Sequence, residues 1–284
     1  MRNKKMNKEF DAFIQEYLET VKSNEVKDAL VYALGNGKRF RPSLVFAVTK
    51  GFGLPESRAY HAALALEMIH SYSLIHDDLP CMDDDDFRRG KPSVHKAFAE
   101  NIAVLAGDAL LTEAFKVMSL DKDLSAEQKI KMVYFLSDLA GIGGMIHGQV
   151  LDLRYENAEH LTKDILDEIE DYKTGCLFKC SLLLPMIIVG DEEHQEFYEE
   201  LGLRIGRIFQ IQDDLFDIIK SEEEMGKPTG SDEKNNKATA LSLMSIDEIK
   251  TELERLFDET NRLIDAQKFD TTYIKTIIHN IKVR

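Results

Sequence analysis

Residues 74–90 of this chain read Leu74-Ile75-His76-Asp77-Asp78-Leu79-Pro80-Cys81-Met82-Asp83-Asp84-Asp85-Asp86-Phe87-Arg88-Arg89-Gly90, so an apolar helical segment ends in six aspartates and two arginines. Like charges at this density repel one another and require compensation. Magnesium is a strong candidate, because it prefers hard oxygen ligands and completes its shell with water and substrate phosphates. Taken alone, an acidic run is more often a solvated loop.

A second aspartate cluster makes a functional site the better interpretation. It lies in Phe209-Gln210-Ile211-Gln212-Asp213-Asp214-Leu215-Phe216-Asp217, where Asp213 and Asp217 are four residues apart and share one helix face. Carboxylates inside an apolar helix cost several kcal/mol unless they are paired or bound to metal. Two such clusters facing each other would hold a diphosphate through shared magnesium ions.

Basic residues accompany both clusters. Lys38, Arg39 and Arg41 precede Pro42, a first-turn proline that would place them near the positive end of a helix dipole. This is an anion site in outline, although an ordinary basic surface turn is the alternative. The other cations beside the clusters are Arg88, Arg89, Lys173 and Lys227.

The fold class follows from apolar residues that recur at three- and four-residue spacing, without strict alternation over a strand length. We predict an all-α protein, a single large helical bundle around a central cavity, in one domain spanning residues 1–284. Two small domains remain an alternative, but the sequence contains no linker that supports them. The predicted helices are Lys8–Val21, Glu25–Leu34, Pro42–Lys50, Ser57–Asp77, Asn101–Met118, Ala126–Leu151, Lys163–Val189, Glu192–Lys220, Ile246–Gln267 and Thr271–Lys282.

Composition limits the partners. The net charge of -15 argues against nucleic acid and anionic membranes, because both are polyanions. Residues 1–13 lack the apolar core of a signal peptide, and the apolar stretch Leu182–Val189 is too short for stable membrane insertion, which needs roughly 20 residues. We therefore expect a cytoplasmic protein. Three cysteines are an odd number and do not predict a disulfide framework, and Cys176 and Cys180, one helical turn apart, are predicted to be buried free thiols.

At these residues the sequence resembles the trans-isoprenyl diphosphate synthase family, and within it the bacterial farnesyl diphosphate synthases. The resemblance runs from about Ala29 to Ala240. The two aspartate motifs and their flanks carry it, since a single Asp-Asp-x-x-Asp would be a poor signal. The further matching elements are Gly37-Lys38-Arg39-Phe40-Arg41-Pro42, Gly148-Gln149 with Asp152, Lys173-Thr174-Gly175 and Gly226-Lys227.

The resemblance implies the isoprenoid synthase type I fold, a homodimer and a site that binds prenyl diphosphates with three Mg²⁺, Mn²⁺ being a possible substitute. In that site, Asp77, Asp83 and Asp213 would be metal ligands, supported by Asp78, Asp214 and Asp217. The allylic diphosphate would contact Arg88, Lys173 and Lys227. Isopentenyl diphosphate would contact Lys38, Arg41, His70 and Arg89. Lys173, Thr174 and Gln210 would act beside the allylic cation.

In this resemblance, the length of the product depends on Tyr72 and Ser73, which precede the first aspartate cluster. Tyr72, with Ser73 beside it, lies about 7 to 8 Å below the metals at about 1.5 Å per helical residue, where its ring would close the tunnel at fifteen carbons. A core aromatic without that role is the alternative. A geranylgeranyl diphosphate synthase, a class I terpene cyclase and a non-catalytic subunit also remain open. We assign no protein base, although His70 is a candidate.

Overall fold

The computed structural model describes residues 2–35, 37–156, 161–219 and 239–282. Its α-helices are α1 Arg2–Thr20, α2 Glu25–Leu34, α3 Phe40–Gly51, α4 Tyr60–Asp77, α5 Val94–Ala97, α6 Glu100–Ser119, α7 Ala126–Ala140, α8 Met145–Tyr155, α9 Lys163–Glu170, α10 Cys176–Val189, α11 Gln195–Ile219, α12 Ile246–Asp265 and α13 Thr272–Lys282. The predicted all-α class is confirmed. The predicted site residue Lys227 lies outside the described residues.

Two helices form the centre of the bundle. Helix α4 packs against α6, α3 and α10, and α10 packs against α11, α3 and α7. Both helices are apolar on nearly all sides, which is the pattern of a helix surrounded by other helices. Pro185 lies within α10, as the sequence suggested. Functional side chains at the ends of these two helices are therefore held by the most buried part of the molecule.

The predicted helix Ala126–Leu151 is wrong, because two helices occupy this stretch. Helix α7 ends at Ala140 and α8 begins at Met145, with Gly141 and Gly144 in extended or irregular conformations at the break. A Cβ on Gly144 would lie 2.2 Å from the Leu139 carbonyl oxygen, so this turn requires glycine. Glycine also disfavours a continuous helix by about 1 kcal/mol relative to alanine.

The segment Lys163–Val189 is continuously helical but changes type in the middle. Residues Asp171–Gly175 form a π-helical turn between α9 and α10, a feature that often marks functional sites. Among the described helices, Lys163–Val189 is long and apolar enough to cross a bilayer. The sequence had suggested only the shorter apolar stretch Leu182–Val189. However, 78% of its apolar window is buried inside the fold, as in a core helix.

A small hairpin was not predicted. Strands β1 (Phe87–Arg88) and β2 (Lys91–Pro92) pair antiparallel, with Arg89 and Gly90 as the two-residue turn. Both turn residues have positive φ, 55° and 73°, as in the type I′ turns that fit hairpin twist. Arginine rarely adopts this conformation, so sequence reasoning had no local signal for the turn.

Two predicted helix caps are confirmed, whereas other predicted starts are off by several residues, as at Lys8, where the helix begins at Arg2. Ser125 with Gln128 and Ser245 with Glu248 both form reciprocal capping boxes at the first turns of α7 and α12. In each, the serine side chain accepts from the backbone amide three residues later, while that residue's side chain accepts from the serine amide. The sequence pattern was sufficient here because a capping box involves only neighbouring residues.

Candidate active site

A cavity of about 920 Å³ opens between α3, α4, α6, α8, the π-helical turn and α11. The structure brings most of the predicted site residues to its walls. Those that line it are Lys38, Arg41, His70, Tyr72, Ser73, Asp77, Arg88, Arg89, Lys173, Thr174, Gln210 and Asp213. This volume is at the upper end of the usual range for small-molecule sites, roughly 300 to 1,000 Å³.

The loop after α4 returns the chain to the helix end. Helix α4 stops at Asp77, and the Asp83 amide donates a 2.9 Å hydrogen bond to the Asp77 carbonyl oxygen. The Met82 amide donates to the Leu79 carbonyl oxygen at 2.8 Å, closing the turn that contains Pro80. The backbones of Asp77 and Asp83, six positions apart and separated in a regular helix, are therefore neighbours. The predicted departure from helical geometry near Pro80 is confirmed.

Asp78 is buried behind this wall and holds Arg88. Its carboxylate is only 2% exposed and accepts a 2.9 Å hydrogen bond from Arg88 Nε, while Arg88 Nη2 also contacts Asp85 Oδ2 at 3.0 Å. Burial raises the pKa of Asp78 to about 6, against the opposing effect of the Arg88 charge. Asp78 does not line the cavity, so its position suits orientation of Arg88.

The hairpin turn supplies the next cation. Arg89 lines the cavity, and its backbone has the positive φ of the left-handed region. Its Nη1 donates a hydrogen bond to the Ala33 carbonyl oxygen at 3.4 Å. Residues held in sparsely populated backbone regions cluster at functional sites. The two arginines of the hairpin thus reach the cavity beside the first aspartate cluster, Asp77, Asp78 and Asp83.

Arg39 anchors the basic loop at the start of α3, a role that sequence reasoning missed. Its guanidinium donates to Glu67 Oε1 at 2.7 Å, to Asp11 Oδ1 at 3.1 Å and to the Leu34 carbonyl oxygen at 2.5 Å. Glu67 is 1% exposed and is an isolated acid in the apolar run of α4, which was the available signal. The buried pair fixes the loop that presents Lys38 and Arg41.

Arg41 and His70 line the same cavity as Asp77, and His70 lies about two helical turns before Asp77 on α4. The Arg41 guanidinium carbon lies 4.4 Å from the centre of the Phe178 ring, and burial lowers its pKa to about 10, so it stays charged at neutral pH. Burial and the surrounding arginines, Arg41 and Arg89 foremost, lower the pKa of His70 well below its usual value. A neutral histidine of such weak basicity suits hydrogen bonding to a diphosphate better than proton abstraction.

A chain of hydrogen bonds supports the second wall. Thr174 Oγ1 donates to Gln210 Oε1 at 3.0 Å, and Gln210 Nε2 donates to Asp214 Oδ1 at 2.9 Å. Asp214 Oδ2 accepts from the Ala240 amide at 2.9 Å. Asp213 faces the cavity, whereas Asp214 and its neighbour Asp217 are buried at 2% and 3% exposure. Within the second aspartate cluster, Asp213 is the member placed to reach a ligand.

Lys173 projects from the π-helical turn and forms an ion pair with Asp152 on α8. The close approach of α8 to the turn depends on Gly148, where a Cβ would lie 2.1 Å from the Lys173 backbone nitrogen.

Gly148→Ala should therefore push α8 away from the π-helical turn, destabilise the fold by about 1 to 3 kcal/mol and lower activity at temperatures where the variant is folded. Thermal melts and steady-state kinetics would check this. Gly143→Ala is the control, because its Cβ would meet nothing within 4 Å.

Among the described residues, the predicted metal ligands Asp77, Asp83 and Asp213 do not form one compact cluster. In the described part of the chain, the groups of three or more ligand residues within 4.8 Å are Asp84, Asp86 and His95, and separately Asp191, Glu193 and His194. Asp77 and Asp213 instead belong to different walls of one cavity. Their hard carboxylate oxygens are ligands that magnesium prefers.

Tyr72 lines the cavity and is largely buried. It is 7% exposed, and its ring lies edge-on to His76 with centroids 5.9 Å apart. His76 Nε2 lies 3.1 Å from the Val104 carbonyl oxygen, in a notch left by Gly107, where a Cβ would approach that nitrogen to 1.9 Å. Helix α6 therefore holds His76, which in turn limits the movement of the Tyr72 ring.

Comparisons with known proteins agree with this arrangement. Residues 23–278 match the polyprenyl synthetase family. The chain is 44% identical to the farnesyl diphosphate synthase of Bacillus subtilis, covering 85% of this chain and 82% of that protein. It is 37% identical to geranylgeranyl pyrophosphate synthase 7 of Arabidopsis thaliana, over 89% and 74%. A Helicobacter pylori geranyltransferase crystallised with magnesium and isoprenyl diphosphate has a TM-score of 0.84 and 32% identity, covering 96% of this chain and 93% of that one.

Proposed function

Because this chain belongs to the polyprenyl synthetase family, we propose that it is a prenyltransferase that makes (2E,6E)-farnesyl diphosphate. It joins isopentenyl diphosphate head to tail first to dimethylallyl diphosphate and then to geranyl diphosphate. One observation carries this proposal: carboxylates of both aspartate clusters and a basic face line the same 920 Å³ cavity. The Bacillus subtilis relative carries the name of this product, whereas the Arabidopsis relative is a geranylgeranyl pyrophosphate synthase, which is the alternative product.

Asp77, Asp83 and Asp213 are the residues that would hold magnesium. Three ions per site, and replacement by manganese, are part of the proposal. When bound, magnesium supplies positive charge that stabilises the departing diphosphate. Asp78, Asp214 and Asp217 support these ligands from buried positions. Arg88 and Lys173 bind the allylic diphosphate, and Lys227 is assigned the same role from its sequence position.

The basic face binds the second substrate. Lys38, Arg41, His70 and Arg89 hold the diphosphate of isopentenyl diphosphate, so that its double bond faces the allylic carbon. Thr174 and Gln210 present oxygen atoms to the carbocation that forms when the allylic carbon–oxygen bond breaks, and such fixed dipoles stabilise developing charge. The weakly basic His70 leaves the final proton to the released diphosphate.

The exposed side of α6 and α8 supports a homodimer. Its large apolar side chains are more exposed than is usual for such residues: Val104, Leu105, Ile146, Val150 and Leu153, with Ile142 at 88% in the preceding loop. Ile146, Val150 and Leu153 also line the cavity, so a second copy would cover its open side. Sedimentation analysis tests this. We also propose that the protein is located in the cytoplasm.

The Tyr72 ring is proposed to stop elongation of the prenyl chain at fifteen carbons. Tyr72→Ala should remove the ring that closes the tunnel and shift the main product from C15 to C20 or longer, which reverse-phase analysis of dephosphorylated products measures. Tyr134→Ala is the matched control, since Tyr134 is 60% exposed on α7. An unchanged product profile in Tyr72→Ala would contradict the proposed role of this side chain.

The reaction itself is tested with labelled isopentenyl diphosphate and an allylic diphosphate, with magnesium and after its removal by chelation. We expect a magnesium-dependent linear C15 diphosphate. A C20 product from the native chain would favour a geranylgeranyl diphosphate synthase. A cyclic hydrocarbon would indicate a terpene cyclase, and no turnover would favour a non-catalytic subunit.

A further inference from the structure

The hairpin brings together three side chains that lie outside the active-site cavity. The pairing of β1 with β2 reverses the chain, and the Ser93 amide donates a 2.9 Å hydrogen bond to the Asp86 carbonyl oxygen. The short helix α5 therefore starts beside the acidic loop. As a result, ligand atoms of Asp84, Asp86 and His95 all lie within 4.8 Å of one another.

His95 is the member of this group that points to a ligand. Its side chain is 3% exposed, and its Nε2 has no hydrogen-bond partner among the described residues. That nitrogen faces Asp84 Oδ1 at 3.8 Å, beyond hydrogen-bond distance. A buried polar nitrogen without a partner costs free energy, which a ligand at this position would recover.

The other ring nitrogen is already held in the way that metal-binding histidines usually require. Nδ1 of His95 lies 3.1 Å from Ser93 Oγ. When Nδ1–H donates to that hydroxyl, Nε2 keeps its lone pair directed at the two carboxylates. Metal-ligating histidines commonly have their second nitrogen fixed by such an outer partner.

We propose that Asp84, Asp86 and His95 bind one divalent ion of the zinc class, separate from the catalytic magnesium. One imidazole with two carboxylates favours zinc over magnesium, which prefers oxygen ligands. Two ligands at zinc distances and a tetrahedral angle lie about 3.4 Å apart, so a small side-chain adjustment closes the 3.8 Å separation. The proposal does not depend on prenyl transfer.

Lys96 sets the affinity of this site. Its ammonium lies 2.8 Å from Asp86 Oδ1 and 3.8 Å from Asp84 Oδ1, and its side chain is 42% exposed. The ammonium neutralises the carboxylates when no metal is bound, and it can move into solvent when zinc replaces it. Removing the lysine should therefore tighten zinc binding, whereas removing a ligand should weaken it.

Zinc binding to the full-length protein in excess Mg²⁺, measured by calorimetry or equilibrium dialysis, tests the proposal. We expect one zinc ion per chain at this site. His95→Gln and Asp86→Asn should each weaken zinc binding by at least roughly 10- to 100-fold, because loss of an outer partner alone already costs a metal site that much. The Lys96→Met variant should bind zinc more tightly than the native chain. Melting curves without zinc verify that the variants fold. The exposed position of Asp86 makes its variant the safer of the two.

Two controls exclude other zinc ligands. His194→Gln removes the second described group, in which Asp191 already bonds His194 Nδ1 and the Tyr198 hydroxyl at 2.7 Å each. Cys81→Ser removes the exposed thiol. Both should bind zinc like the native chain. Native affinity in both His95→Gln and Asp86→Asn, loss of binding in either control, or binding by Lys96→Met that is not tighter would overturn the proposal.

Discussion

Asp77→Asn is expected to lower kcat by at least about 10³-fold, which corresponds to about 4 kcal/mol of transition-state stabilisation. The amide keeps the size of the side chain but removes the negative charge at the cavity end of α4, where Asp77 faces the ligand space. Because the proposed metal ligands stabilise charge that develops on the leaving diphosphate, the loss should appear in kcat and not only in KM. Steady-state kinetics with geranyl and isopentenyl diphosphate over a range of magnesium concentrations measures it.

Asp258→Asn is the matched control, since this aspartate is exposed on α12 and does not line the cavity. It should retain activity within about twofold, as surface substitutions of this kind usually do little. The carbonyl oxygen of Asp77 still accepts from the Asp83 amide in the Asn variant, so the loop geometry should persist. Full activity of Asp77→Asn would remove the first aspartate cluster from the mechanism.

Arg41→Gln is expected to raise KM for isopentenyl diphosphate by about 10²-fold and leave KM for geranyl diphosphate nearly unchanged. Loss of one partner from a buried charge pair costs about 2 to 5 kcal/mol, and the lower part of that range gives this factor. Arg41 is 8% exposed and fixed over the Phe178 ring, so solvent screening is weak. The asymmetry between the two substrates is the decisive part, because it separates the two diphosphate subsites.

Arg262→Gln is the control for charge alone, since Arg262 is exposed on the far helix α12. It should leave both KM values unchanged. An equal rise for both substrates in Arg41→Gln would indicate a general loss of cavity structure. A rise confined to geranyl diphosphate would reverse the assignment of the two subsites.

Much of the site could be predicted from the sequence because its chemistry is written in charged residues at unusual places. Asp213 and Asp217 stood out as carboxylates in an apolar helix, and Asp77 and Asp83 as part of a dense acidic run. The structure places Asp77 and Asp213 at one cavity. Helix bounds also followed well where local signals were strong, as at Ser125 and Ser245.

What the sequence could not give depends on contacts between distant segments. The anchor between Arg39 and Glu67 joins residues 28 positions apart, and no local pattern encodes it. The π-helical turn at Asp171–Gly175 has ordinary helical spacing in sequence. The break between α7 and α8 was visible as glycines at Gly141, Gly143 and Gly144, but the apolar periodicity that continues across them outweighed that signal.

In the proposed mechanism, the two aspartate clusters bind one diphosphate from opposite walls through shared magnesium ions. A crystal structure of the protein with Mg²⁺, isopentenyl diphosphate and an unreactive thio analogue of geranyl diphosphate would show whether they do. We expect magnesium ions that contact the analogue's diphosphate and are bound by Asp77 and Asp83 on one side and by Asp213 on the other. Magnesium and diphosphate bound elsewhere, or held by one cluster with the other turned away, would contradict it.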